Sequence, residues 1–308
     1  MRRAVLLFNP SSGRRSQNRL AIIESIATTL RANHLTVDIT PTAAPGTAGQ
    51  QAREAADSGA DIIFACGGDG TIHEILQGLA FHPHTTLGII PLGSGNVLAR
   101  HLQIPLDPQQ AALTQLSRTP QRVPLGHVTC QSPAGQISRY FLLMAGAGPD
   151  GALMYASLRT EKQLLGRMAY YLNAARLFCT GSFPAYLADV TLTTGERLRR
   201  RITGVMAVRV SDLGGIFSPL VRGAAIHHDY LHLMLIRPPG QISLPAWFTL
   251  SWTRLPGLSY FVETCEATEL HCSPNGIAPV HVQADGEWLG QTPMTVTLIP
   301  NALRLLMP

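Results

Sequence analysis

An N-terminal open parallel α/β sheet domain followed by a C-terminal antiparallel β-sandwich domain is the fold this sequence predicts. Two observations carry it. Over the first 120 residues, short continuous apolar runs alternate with stretches of helical periodicity, the pattern of a parallel sheet covered on both faces. From about residue 125 the chain turns to β-like segments punctuated by tight-turn dipeptides. The length agrees, since 308 residues make about two domains at ~150 residues each.

Taken in order, residues 4–8 form an apolar strand that stops at Asn9, Pro10, Ser11, Ser12 and Gly13. Leu20, Ile23, Ala27 and Leu30 then recur at helical spacing, Leu35, Val37 and Ile39 alternate as a strand, and the Ala-rich residues 47–58 read as a helix. Residues 61–66 are a buried-type strand ending in Gly67, Gly68, Asp69, Gly70 and Thr71. Ile72, Ile75, Leu76 and Leu79 give one apolar helix face. Residues 87–90 are a further strand, closed by Pro91, Leu92, Gly93, Ser94, Gly95 and Asn96 before another short helix. In the second half, residues 140–145, 188–193, 202–210, 231–236, 280–284, 295–299 and 303–306 are β-like, with Thr194-Gly195 and Asp285-Gly286 as turn signals. A helix is expected over 161–178, with an apolar stripe at Leu164, Met168, Tyr171, Ala175 and Phe178. Arg197, Arg199, Arg200 and Arg201 read as a solvated strand edge.

Composition narrows the function. Hydrophobic residues are 45% and charged residues 14% of the chain, which excludes a disordered polyelectrolyte and a coiled coil. The net charge of +5 comes from a shortage of acids, 19 against 24 bases. That suits phosphates or anionic surfaces but lacks the dense basic stripe of a nucleic-acid binder. Five cysteines without a close pair fit a reducing compartment. Met1-Arg2-Arg3 precedes too short an apolar run for a secretory signal, and residues 242–261 are broken by Pro245, Arg254 and Pro256. The expected setting is cytoplasmic, at most peripheral to a membrane.

Three strand ends carry glycine- or serine-rich loops. In an open α/β sheet, ligands bind beyond the carboxyl ends of the strands, and a helix start offers unpaired amides and a favourable dipole to a phosphate. The loops at 9–13, 67–71 and 93–96 should therefore converge on one rim. Neither a P-loop, nor a G-x-G-x-x-G after the first strand, nor a G-x-S-x-G elbow is present. Asp69 amid glycines would repel a bare phosphate unless it serves Mg²⁺ or an incoming hydroxyl, and the glycine loop suggests little structural purpose for it.

These residues resemble the catalytic domain of diacylglycerol kinases and sphingosine kinases, bacterial lipid kinases above all. The likeness rests on the 9–13, 67–71 and 91–96 loops with Leu98-Ala99-Arg100. It runs on through Gly146 to Asp150, Leu165-Gly166-Arg167, Gly214-Gly215-Ile216 and Asp285-Gly286-Glu287. The resemblance implies an ATP-dependent lipid kinase that transfers the γ-phosphoryl group to the hydroxyl of a diacylglycerol- or sphingosine-like lipid. Nucleotide would lie in a cleft between an α/β domain (1–124) and a β-sandwich (125–290), with 291–308 returning to the first. By motif, ATP would contact Asn9, Pro10, Ser11, Ser12, Gly13, Thr42, Gly67, Gly68, Asp69, Gly70, Thr71, Ile72, His73 and Ser94. His73 is otherwise an exposed helix residue.

Asp285 and Glu287 match the acidic pair where the family places its general base, and Asp69 is the other candidate. From spacing alone Asp285-Gly286 is a hairpin turn. Asp150 would bind the lipid headgroup. Ile226, Asp229 and Leu231 would hold a structural Mg²⁺, whereas the adjacent His227 and His228 point to opposite faces and are not read as a metal pair. Bacterial members usually carry Asp where this chain has Val97. The partners implied are a lipid and a transient membrane surface, with a homodimer left open. Two other readings stand beside the kinase: a nucleotide- or lipid-binding relic, and an NAD kinase-like enzyme sharing the Gly-Gly-Asp-Gly-Thr loop.

Overall fold

The computed structural model describes residues 2–10, 18–158, 183–211, 221, 223–253, 258–273, 276 and 278–308. Ser11, Ser12 and Gly13, the helix expected over 161–178 with its apolar stripe, and the motifs at 165–167 and 214–216 lie outside the described residues. The chain divides into two compact units, Met1–Leu125 with Ile299–Pro308, and Gly126–Leu298.

The first unit is a parallel sheet with helices. Its strands are β1 (Arg2–Phe8), β2 (Leu35–Pro41), β3 (Ile62–Gly67), β4 (Thr86–Pro91) and the end of β14 (Glu287–Met307), in the order β2-β1-β3-β4-β14. All neighbours in that order pair in parallel. Every residue of β3 and β4 is buried, which is why these strands read as unbroken apolar runs. The helices are α1 (Arg19–Ala32), α2 (Ala48–Asp57), α3 (Asp69–Leu79), α4 (Val97–His101) and α5 (Pro108–Leu116). α1 buries Ile23, Ile26, Ala27 and Leu30, and α3 buries Ile72, Ile75, Leu76 and Leu79, so a 3.6-residue stripe faces the sheet in each.

The second unit is antiparallel and strand-rich. β5 (Thr119–Ser132), β6 (Gly135–Phe141), β7 (Met144–Ala147), α6 (Pro149–Leu158), β8 (Tyr186–Leu192), β9 (Arg197–Ile202), β10 (Gly204–Val208) and β11 (Leu231–Ile236) come first. α7 (Gly240–Thr253), α8 (Leu258–Phe261), β12 (Val262–Cys272) and β13 (His281–Ala284) follow, and the first part of β14 completes the unit. The strand order β13-β7-β10-β11-β12-β8-β9 is antiparallel throughout. Alternate residues divide between two cores. Val205, Ala207, Leu231, Leu233 and Leu235 pack on one face, while Met206, Val208, Met234 and Ile236 pack on the other.

Several boundaries differ from the sequence reading. The run at 140–145 divides into β6 and β7 around Leu142 and Leu143, the run at 202–210 divides into β9 and β10, and the last two segments join in β14. The apolar residues 242–261 carry α7 and α8, and among the described residues no helix is long and apolar enough to cross a membrane. β9 is the terminal strand of its sheet, and its arginines pair locally: Arg199 with Asp189 at 2.6 Å and Arg200 with Glu263 at 3.0 Å.

Candidate functional site

In the first unit, the registers Phe8↔Pro41, Phe8↔Cys66 and Gly67↔Pro91 bring the carboxyl ends of β1 to β4 side by side. Asn9 and Pro10 leave β1 there, and the Thr42 amide donates to the Phe8 carbonyl at 2.8 Å. Gly68 is the extended N-cap of α3 and has no side chain of its own to cap the helix. The first-turn amides of Gly70 and Thr71 lie at this helix start, where the dipole favours an anion. Thr71, Ile72 and His73 are buried, so His73 is a packed residue rather than an exposed one.

The second and third loops touch at their glycines. A Cβ on Gly68 would stand 3.2 Å from the Gly93 Cα, and a Cβ on Gly93 would overlap the Gly68 Cα. Only hydrogen fits at this crossing. Asp69 ties it together: its carboxylate accepts from the Val97 amide at 3.1 Å and the Leu98 amide at 3.2 Å, capping α4 from a distant loop. Asn96, in the left-handed region at φ 51°, accepts from the Gly93 amide at 3.0 Å and donates to the Gly93 carbonyl at 2.9 Å.

Two expectations change. Asp69 has a structural task that the glycine loop did not suggest. And the amides of Gly93, Val97 and Leu98 are held by protein acceptors, while Ser94 is exposed.

In the second unit, Asp285 and Gly286 form the β13–β14 turn with φ values of 47° and 86°. The Asp285 side chain is more than a turn residue. Its carboxylate accepts from the amides of Leu142 (2.9 Å), Leu143 (2.8 Å) and Met144 (3.0 Å), and it is only 9% exposed. Leu142 and Leu143 form the break that separates β6 from β7, and Met144 opens β7. Glu287 is exposed.

Gln283 links the turn to Asp150, donating to its carboxylate at 3.0 Å while accepting from the Gly286 amide at 3.0 Å. Burial raises the Asp150 carboxyl to about 6, opposed by the hydrogen bond from Gln283. Gly148 and Ala152, on either side of Asp150, line a cavity of about 320 Å³ with Tyr155, Phe183, Thr203 and His281. Tyr155 stacks on His281 with ring centres 4.2 Å apart, and the Trp288 indole donates to the His281 Nδ1 at 3.2 Å.

Arg209, which the sequence reading did not single out, is 1% exposed just beyond β10. One of its terminal nitrogens donates to the Ile226 carbonyl. Burial lowers the guanidinium to about 10, while attraction to Asp285 and Asp229 opposes this, so it keeps its charge at neutral pH. A lone arginine in the apolar run Met206 to Val210 was the available signal. The residues at the 226–231 loop do not fit a resident Mg²⁺. The Ile226 oxygen expected to coordinate it already accepts from a cation, which would repel a divalent ion beside it. Among the described residues no cluster of three His, Cys, Asp or Glu side chains could hold a metal.

Comparison with known proteins agrees with this architecture. The family described as diacylglycerol kinase catalytic domain matches residues 3–128. A diacylglycerol kinase of Bacillus subtilis (strain 168) is 36% identical over 242 residues, covering 77% of this chain and 74% of that protein. A Chromohalobacter salexigens protein bearing the name YegS-like lipid kinase is 28% identical, covering 90% and 85%. A crystal structure described as a diacylglycerol kinase from Bacillus anthracis str. Sterne shares the fold at TM-score 0.70 and 21% identity, covering 99% of this chain and 97% of that one. Fold and relatives together define a lipid kinase. The chain belongs to the diacylglycerol kinase family.

Proposed function

We propose that the protein is an ATP-dependent kinase that moves the γ-phosphoryl group to a hydroxyl of a diacylglycerol- or sphingosine-like lipid at a membrane surface on the cytoplasmic side. The observation that carries this is the glycine-led start of α3, packed on the Gly93 loop and fixed to the start of α4 by the Asp69 carboxylate. Phosphoryl transfer asks mainly for positioning and charge neutralisation. Amides and the dipole at a helix start can supply both. Asn9, Pro10, Thr42 and Ser94 border the same edge and complete the nucleotide contacts. Mg²⁺ arriving with ATP supplies neutralisation of the phosphate charge.

Asp285 is the proposed general base for the lipid hydroxyl, with Glu287 beside it. The resemblance supports this role; the Asp285 carboxylate is held in place by three amides, with its proton acceptance set against those bonds. Asp69, committed to two amides of the nucleotide loops, acts in this reading by holding those loops. Asp150 and the adjoining cavity suit a hydroxyl-bearing headgroup, because a carboxyl near 6 can both donate and accept hydrogen bonds.

The test is purified protein with ATP and mixed micelles of diacylglycerol, monoacylglycerol, sphingosine-like base, ceramide and polyprenol, scored by mass spectrometry. One lipid class should gain a phosphoryl group, and Asp285→Asn should lose turnover while retaining ATP binding. A panel in which no lipid is phosphorylated above an Asp285→Asn control would remove the proposal.

A further inference from the structure

We propose that the Arg209 guanidinium is the resident cation of the 226–231 loop, occupying the role that a structural divalent metal has in the resemblance. The placement rests on two hydrogen bonds and the attraction of two acids. The Arg209 amide donates to the Leu143 carbonyl at 2.9 Å, which fixes its backbone to the turn whose amides grip Asp285. Its side chain is buried and donates to the Ile226 carbonyl. Asp285 attracts it from one element and Asp229 from another. Its Nε and remaining terminal nitrogen have no hydrogen-bond partner among the described residues, so its hold comes chiefly from charge.

The guanidinium holds the Ile226 main-chain oxygen and carries a buried positive charge attracted by Asp285 and Asp229, so the cation here is covalently part of the chain. Mg²⁺ demands near-octahedral oxygen coordination at about 2.0–2.1 Å. A metal on the Ile226 oxygen would sit directly against the guanidinium that already donates to it. A divalent ion placed beside a buried arginine would also meet strong repulsion. Arg209 therefore ties the 226–231 loop to the Asp285 turn without metal. This inference does not depend on which lipid is phosphorylated, because its readouts are metal binding and melting of the nucleotide-free protein.

The experiment has two arms. In the first, MgCl₂ is titrated calorimetrically into nucleotide-free wild type and Asp229→Asn. The two should titrate alike, and the wild-type melting midpoint should be the same in EDTA as in millimolar Mg²⁺. Saturable binding in wild type that Asp229→Asn removes, or a midpoint lowered by EDTA, would overturn the proposal. The second arm compares Arg209→Lys with Arg209→Met in EDTA. Methionine keeps the bulk but removes the buried charge that holds the Ile226 carbonyl and faces Asp285, so its midpoint should fall by roughly 5–10 °C. Lysine keeps the charge and should recover most of that loss. A lysine variant no better than methionine, or a methionine variant that melts with wild type, would show that charge at this position is not what holds the loop.

Discussion

Replacing Asp69 by alanine isolates the loop-holding role that the structure gives this residue. The wild-type carboxylate takes two amides, at 3.1 and 3.2 Å, from the first turn of α4. Hydrogen bonds to a charged acceptor contribute about 1.5–3 kcal/mol each. Asp69 is half-buried, so the lower end applies and the pair contributes about 3 kcal/mol. At ~2–4 °C per kcal/mol, the melting midpoint of Asp69→Ala should fall by about 6–12 °C. Asp69→Asn keeps one carbonyl acceptor and should lose about half as much. The assay is thermal melting followed by circular dichroism without nucleotide, paired with ATP titration by fluorescence. The α3 start and the 93–96 loop should drift apart in the alanine variant, raising the Kd for ATP. Asp69→Ala melting with the wild type would refute the reasoning. Full melting stability in Asp69→Asn with turnover abolished would assign the carboxylate a direct chemical part as well.

Other outcomes follow from the same geometry. Gly93→Ala forces a Cβ onto the Gly68 Cα, so it should leave the far-ultraviolet spectrum intact while weakening ATP binding at least tenfold, about 1.4 kcal/mol, by fluorescence titration. Asp150 is held near 6 in the folded state against ~3.9 unfolded, so the native protein keeps a proton that the unfolded chain has lost. The stability tied to this residue is therefore present below about pH 4 and falls as pH rises to about 6. Urea unfolding of Asp150→Asn should show a gain of ~2 kcal/mol over wild type at pH 7.5 and none at pH 4. Asp285→Ala strands three amides inside the second unit and should destabilise the β6–β7 break, seen as faster amide exchange at Leu142 to Met144.

The strands of the parallel unit were legible because burial on both faces leaves runs such as Ile62–Gly67 and Thr86–Pro91 without polar interruptions. Glycine loops were legible as punctuation. The rest depended on partners far along the chain. β12 escaped because a register shift between Ala267 and Glu269 breaks the two-residue alternation, and its exposed face carries glutamates and threonines. β5 was hidden by Pro120, Pro124 and Gly126. α5 carried an overlooked local signal: Asp107 caps it by accepting from the Gln110 amide, and Pro108 sits in its first turn.

The site shows the same division. That Asp69 and Asp285 matter could be read from motif. That each is engaged by amides, 28 and about 142 residues away, could not. Sequence spacing reports local geometry, and a carboxylate buried against a remote turn leaves no periodic trace.

The most direct test of the account is a nucleotide titration of isotopically labelled protein, observing backbone amide shifts. Phosphates seated at the start of α3 should move the amides of residues 68–71 most, with Ser94 and Thr42 following and the amides of Val97 and Leu98 changing least. Binding that leaves residues 68–71 unmoved would contradict the central claim that this helix start is the phosphate site.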